Sequence, residues 1–209
     1  MRTCLSVVMA LAILVVPGPA LAQPALGTRA AALVSVEGDV YLNDRAVDAN
    51  TGPSVLPDDA QLRTSRGRAA VALKRGGVLY LSADTSVRVL ANGAYNFNRI
   101  EVLTGSAIVA SGTSAPLVVC ENEMRLSDGG MFRFDVQPVS PTGERSCRFR
   151  VFEGAAAVPL KTVTSALRGG QSMMCNRRCG DMIPIKEFPR EEFDDFDRWA
   201  RQMHERLAK

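Results

Sequence analysis

Three segments of the chain place apolar residues two before, two after and four after a glycine: Val36-Glu37-Gly38-Asp39-Val40-Tyr41-Leu42, Leu103-Thr104-Gly105-Ser106-Ala107-Ile108-Val109 and Phe152-Glu153-Gly154-Ala155-Ala156-Ala157-Val158. A period of two puts these positions on one face of a strand, because successive strand side chains point to opposite sides. The pattern therefore predicts one half-buried strand unit written three times, with Gly38, Gly105 and Gly154 at the same inward position. At such a position glycine serves as a close-approach point between backbones.

Alternation elsewhere predicts further strands. Leu33–Leu42 alternates with Val34, Val36, Gly38, Val40 and Leu42 on one face, and Asn43–Pro57 is a loop by its Asn, Asp, Gly and Pro content. Ala60–Thr64, Ala69–Leu73, Val78–Leu81, Val87–Leu90 and Ile100–Ala110 follow, the second and third joined as a hairpin around Gly76-Gly77. Leu117–Cys120, Met124–Leu126, Met131–Val136 and Cys147–Val158 continue the series, and a cysteine hairpin closes it near Ile185. The period then changes. Phe193, Phe196, Trp199, Ala200, Met203 and Leu207 recur at threes and fours, the spacing of one helix face. Pro189 suits the first helical turn; acidic residues from Glu191 to Asp197 crowd the start, and Arg201, Arg206 and Lys209 lie towards the end. The expected fold is all-β: a repetitive, twisted β-sandwich or β-solenoid-like scaffold carrying one C-terminal amphipathic helix.

The first residues stand outside that scaffold. A basic Arg2, an apolar run from Leu5 to Val16 and the small residues Ala20 and Ala22 form the pattern of a cleaved secretory signal, with cleavage between Ala22 and Gln23. The run is too short to cross a bilayer as a helix. The organisation expected is a signal over 1–22, a flexible lead-in over 23–30, a β domain over 31–186 and a helix over 187–209 packed on it. A formal net charge of +3 points to neither nucleic acid nor an anionic membrane surface as partner. Periplasmic or secreted localisation follows, with no integral membrane segment after cleavage.

Export changes the meaning of the cysteines. Cys120, Cys147, Cys175 and Cys179 remain in the mature chain, and an even number in an oxidising compartment favours two disulfides. Cys175 and Cys179 flank three residues, a length suited to a hairpin loop, so Cys175–Cys179 and, by elimination, Cys120–Cys147 are the expected pairs. The rival, a four-thiolate metal site, needs reduced thiols and the C-x-x-C spacing that this chain lacks.

The glycine-punctuated strands, the Leu62-Arg63-Thr64 step, the hairpin around Gly76-Gly77 and Val151-Phe152-Glu153-Gly154 occur in an order that resembles the FecR domain. In that family a first strand with Val-x-Gly-x-Val precedes a Leu-x-Thr step, a glycine hairpin, a Leu-x-x-Gly strand and a Val-x-Glu-Gly strand. Residues 33–40, 62–64, 69–81, 102–109 and 151–158 follow this order, with Val102 in place of the leucine. The closing Phe193-Asp194-Asp195-Phe196-Asp197-Arg198-Trp199 is similar to the tail of exported stand-alone members. The resemblance implies a periplasmic all-β module. Two departures stand out: Gly129-Gly130-Met131-Phe132 replaces the usual Gly-Thr-x-Phe step, and the cysteines are not a general family feature. The best-known members also carry an inner-membrane helix and a sigma-factor-controlling segment, neither of which is recognisable here, so the resemblance implies a domain type rather than that signalling role.

Catalytic chemistry finds little support. His204 is the single histidine and falls on the polar side of the predicted helix, where a solvated role is expected rather than one in a triad or zinc site. The run from Glu191 to Asp197 is accounted for by the helix start, and Asn43, Asp44, Asp48 and Asn50, candidate calcium ligands, by turn chemistry. No cofactor or metal is expected. The segment Ala91–Arg99, with Tyr95 and Phe97 among asparagines, is the best candidate binding surface. These features predict a non-catalytic exported protein that binds or assembles at the envelope, its partner an envelope protein or cell-wall polymer. The alternatives are a periplasmic modulator of an iron-uptake or sigma-factor system and a carboxylate-dependent hydrolase. The disulfide expectation is checked by intact mass with alkylation of the native exported protein: no thiol reacts before reduction, whereas four reactive thiols contradict it.

Overall fold

The computed structural model describes residues 31–73, 76–90, 99–112, 116–119, 122–141, 143, 146–159, 164–176, 186–189 and 193–208. In chain order these form β1 (Ala32–Glu37), β2 (Val40–Leu42), β3 (Arg45–Ala46), β4 (Ser54–Val55), β5 (Ala60–Thr64), β6 (Arg68–Ala72), β7 (Val78–Leu81), β8 (Ser86–Leu90), β9 (Arg99–Ala110), β10 (Pro116–Val119), β11 (Asn122–Leu126), β12 (Met131–Val136), β13 (Ser146–Glu153), β14 (Ala155–Pro159), β15 (Thr164–Arg168), β16 (Gln171–Asn176), β17 (Lys186–Glu187) and α1 (Asp195–Leu207). The fold is all-β with one C-terminal helix.

The strands make two layers that share β9. The first layer runs β4-β1-β6-β7-β9-β12-β13-β16-β17. The second runs β3-β2-β5-β8-β9-β10-β11-β14-β15, antiparallel except for the parallel β9–β10 pair. Between them lies the main core, which includes Leu62, Val71, Leu79, Val87, Val102, Phe132, Phe134, Phe149 and Leu167. The stacked Phe134 and Phe149 rings, 4.8 Å apart between centroids, occupy the part built by β12 and β13. A second apolar cluster fills the space between the opposite face of the first layer and α1.

The glycine repeat is a corner rather than one straight strand. Gly38 separates β1 in the first layer from β2 in the second, and Gly154 separates β13 from β14 in the same way. Gly105 divides β9: residues 99–104 pair with β8 in the second layer, and residues 105–110 with β12 in the first. All three have positive φ, at 68°, 89° and 86°, a region that L-residues with a Cβ adopt at a cost. A Cβ on Gly38 would lie 2.4 Å from the Arg66 carbonyl oxygen, one on Gly105 2.5 Å from Thr85 Cα, and one on Gly154 2.6 Å from Ser127 Oγ. Gly38 and Gly154 are exposed and Gly105 is half-buried, so none occupies the inward position that alternation predicts. The period survives because both layers face the same core: Val36 before the corner and Val40 after it both pack there.

Hydrogen bonds carry the corners across to their neighbours. The Thr85 hydroxyl donates to the Ser106 carbonyl at 3.1 Å and accepts from the Ser106 N–H at 3.0 Å. Ser127 does the equivalent work at the third corner, its N–H donating to the Ala155 carbonyl at 2.9 Å and its hydroxyl accepting from the Ala155 N–H at 3.0 Å.

Other differences have local causes. A register irregularity between Leu33 and Ser35 in the β1–β6 pair puts Leu33 and Val36 in the main core and Val34 against the helix-side cluster, so Val34 does not share a face with Val36. The predicted loop 43–57 contains the two-residue strands β3 and β4, and β15 arises where no strand was expected. The helix begins at Asp195 rather than near Pro189, because Asp194 and Asp197 cap each other's backbone N–H there.

Of the cysteines, Cys120 and Cys179 lie outside the described residues, so neither expected pair is described. Cys147 is buried, and the register sets it opposite Cys175 on the neighbouring strand.

The corner geometry predicts that Gly105→Val costs about 3 kcal/mol or more, the sum of overpacking and a strained φ. Gly129, at φ 64° with nothing within 4 Å of its would-be Cβ, isolates the φ contribution, so Gly129→Ala costs about 1–2 kcal/mol. Urea unfolding checks both; equal costs would remove the close-approach argument.

Candidate functional site

The first layer has an inner face towards the main core and an outer face where its charged residues gather. The register aligns Ala70, Tyr80, Ile108, Arg133, Arg150 and Ser172 across β6, β7, β9, β12, β13 and β16. Part of this row is apolar and part charged, and α1 lies across both. Its face of Phe196, Trp199, Ala200 and Met203 packs on Ala70, Tyr80, Ile108 and Phe152. Burying each large side chain stabilises by about 2 kcal/mol, so the helix is held mainly by its apolar stripe. Tyr80 and Trp199 meet edge-on at 6.0 Å, and Phe196 stacks on Trp199 at 6.1 Å.

The charged part fixes where the helix starts. Asp194 is the N-cap: its Oδ1 accepts from the Asp197 N–H at 3.0 Å, and Asp197 Oδ2 accepts from the Asp194 N–H at 3.1 Å. Arg133, on β12, then reaches both: Nη1 donates to Asp194 Oδ2 at 2.7 Å and to Asp197 Oδ1 at 2.6 Å. Its Nε donates to Asp135 Oδ1 at 2.8 Å, and Asp135 is also bound by Ser106 Oγ at 2.7 Å and Arg150 Nη2 at 2.9 Å. The Asp197 side chain is fully buried and that of Arg133 is 7% exposed, so this is a desolvated ion-pair network, where breaking one member leaves an uncompensated charge. Burial alone would lower the Arg133 pKa, but Asp135, Asp197 and Asp194 together hold it above its ordinary value. Burial alone would raise the Asp194 carboxyl; hydrogen bonds from the Asp197 backbone and from Arg133 hold it below the usual carboxylate range.

Three polar contacts pin the rest of α1. Trp199 Nε1 donates to Glu37 at 3.0 Å, Arg201 Nη1 donates to Glu153 Oε1 at 2.6 Å, and Tyr80 Oη lies 3.0 Å from His204 Nδ1. Burial pushes the Tyr80 phenol up. The single histidine is therefore part-buried and tied to a tyrosine on β7, where the sequence suggested a solvated one.

Beside α1 lies a cavity of about 490 Å³ lined by Phe152, Glu153, Gly169, Gly170, Phe188, Phe193 and Arg201. That volume falls within the usual range of small-ligand sites. Phe152 sits edge-on to Phe188 at 5.7 Å and to Phe193 at 4.9 Å. The Arg201 guanidinium lies 5.4 Å from the centre of the Phe152 ring and 4.9 Å from that of Phe193. With Nη1 engaged by Glu153, its Nε is buried without a hydrogen-bond partner among the described residues. The lining offers an aromatic wall and an underused cationic donor. Glu153, its one carboxylate, is already ion-paired.

Sequence reasoning assigned none of these lining residues to a site except as core or helix face, and it did not single out Arg133. Tyr95, Phe97, Ala22 and Gln23 lie outside the described residues. Of the calcium candidates, Asn43 and Asp44 take positive φ in the turn between β2 and β3; Asn43 Oδ1 accepts from the Gln61 N–H and Asp48 Oδ1 from the Asn50 N–H. No group of three or more His, Cys, Asp or Glu able to hold a metal occurs among the described residues. No helix among them is long and apolar enough to cross a membrane.

The depressed Asp194 carboxyl predicts the sign of an acid response. Its contribution is present above the unfolded-state pKa of about 3.9 and is lost as pH falls through the lower folded-state value. Urea midpoints followed by the fluorescence of Trp199, the chain's one tryptophan, should fall across that range. Asp194→Asn should lower the midpoint at neutral pH and flatten the acid slope; an unchanged slope counts against this role.

No protein-family model matches the chain, and no curated protein matches it. Among solved structures, two crystal structures of a candidate anti-sigma factor from Parabacteroides distasonis are similar, at 16% and 17% identity, each with a TM-score of 0.47. Each match covers 61% of this chain, which spans only 59% of the length of that protein.

Proposed function

We propose that the chain is an exported, non-catalytic protein that binds or assembles at the cell envelope, with an envelope protein or cell-wall polymer as partner. The observation that carries the binding part is the cavity beside α1: three phenylalanines and an arginine whose buried Nε lacks a partner among the described residues. Such a lining suits recognition rather than turnover. Among the described residues the lining carries two charged side chains, Glu153 and Arg201, and they pair with each other at 2.6 Å. Export is supported by the Arg2, Leu5–Val16 and Ala20–Ala22 pattern, and the envelope setting by the FecR-like order of strand motifs.

Fractionation of cells expressing the full chain, with N-terminal sequencing and crosslinking in the intact envelope, tests the reading. The expected product is a periplasmic or secreted chain beginning at Gln23 that crosslinks to a defined envelope protein or to peptidoglycan. A cytoplasmic chain that keeps residues 1–22 would overturn it, as would a mature chain with no envelope crosslink.

A further inference from the structure

We propose that the cavity beside α1 binds a carboxylate joined to an aromatic group, the chemistry of a C-terminal aromatic residue, through the side edge of Arg201. This rests on the binding role above and names its ligand class.

The aromatic half of the ligand follows from the walls. Phe152 and Phe188 are buried, and Phe193 completes a three-ring lining with edge-on contacts. A further ring can meet these edge-on or offset, the arrangements aromatic pairs prefer. The cavity's 490 Å³ has room for a phenyl group and a short backbone stub.

The anionic half follows from Arg201. A guanidinium presents two edges, and Glu153 takes Nη1. The other edge, Nε with Nη2, holds two parallel N–H bonds at the spacing of a carboxylate. Its Nε is buried and has no partner among the described residues, so an acceptor there repairs a desolvated donor as well as forming a charged hydrogen bond. The opposing charge is Glu153, whose side chain is 57% exposed and so is screened by water. Its repulsion gives a signed consequence: neutralising it should tighten the binding of an acid.

The test is an NMR titration of the mature full chain, read at the Gly169 and Gly170 amides that line the cavity. The probes are N-acetyl-phenylalanine, a hexapeptide ending in free phenylalanine, and the C-terminal amide of each. Both acids are expected to shift the two glycine amides in a saturable way, and the amides to bind about tenfold more weakly. A hexapeptide much tighter than N-acetyl-phenylalanine identifies a chain terminus as the natural source; equal affinities identify a free small acid. Arg201→Lys keeps the charge but removes the side edge, so it should abolish the preference for acid over amide, and Glu153→Gln should strengthen it. Melting temperatures of both variants are measured in parallel, and Phe193→Leu, which removes one ring of the wall and its contact with the Arg201 guanidinium while keeping both charged side chains, should weaken all four probes. No saturable shift at millimolar probe, equal affinity for acid and amide, or a preference that survives Arg201→Lys would overturn the proposal. An envelope crosslink formed equally by wild type and Arg201→Lys removes this site while leaving the binding role intact; no crosslink from either removes the binding role itself.

Discussion

One buried guanidinium fixes where the C-terminal helix docks on the first layer. Arg133 projects from β12 on the outer face of the first layer and meets the N-cap Asp194 and the fully buried Asp197 of α1. Its removal would leave the fully buried Asp197 carboxylate without its guanidinium partner, among the costlier defects a fold can carry. The apolar stripe of α1 supplies most of the docking energy, but a stripe can slide or rotate at modest cost. The arginine sets one position along the face and one helix start. The cavity depends on that setting, since Phe193 precedes the helix and Arg201 lies within it, whereas Phe152 and Glu153 belong to β13.

Beneath that seam the sandwich depends on its corners. A chain that passes repeatedly between two facing layers must turn sharply each time, and glycine at positive φ does so where a neighbouring turn leaves no room for a Cβ. Ser127 and Thr85 then satisfy the backbone groups that the turns expose. The same corner at Gly154 bounds the cavity indirectly, because Phe152 and Glu153 immediately precede it and Gly169 donates its N–H to the Gly154 carbonyl at 3.1 Å. Scaffold and candidate site thus share one local device.

Much of this was legible in the residue pattern. Met131–Val136 is β12 with the same ends, and the buried helix face of Phe196, Trp199, Ala200 and Met203 follows from its three-and-four spacing. The corners were hidden, because alternation around Gly38 looks the same whether the strand continues straight or changes layer over a common core. The ion network was hidden for another reason. Arg133 and Asp135 alternate with Phe132 and Phe134, so they read as a solvated outer face, and Asp197 reads as a complement to the helix dipole. Only the docking of α1, which covers that outer face, turns these charges inward. The residues of the cavity come from three separated parts of the chain and share no local motif that would gather them.

The central claim is that Arg133 and Asp197 act as one unit that positions α1. A double-mutant cycle on unfolding free energy, with Arg133→Met, Asp197→Leu and the combined variant, tests it most directly. Each single change should cost about 3–5 kcal/mol, and the double change much less than their sum, because apolar replacement of both partners leaves no buried charge unpaired. Costs that simply add, each below about 1 kcal/mol, would contradict the account and reduce the pair to a surface ornament on a helix held by its apolar stripe alone.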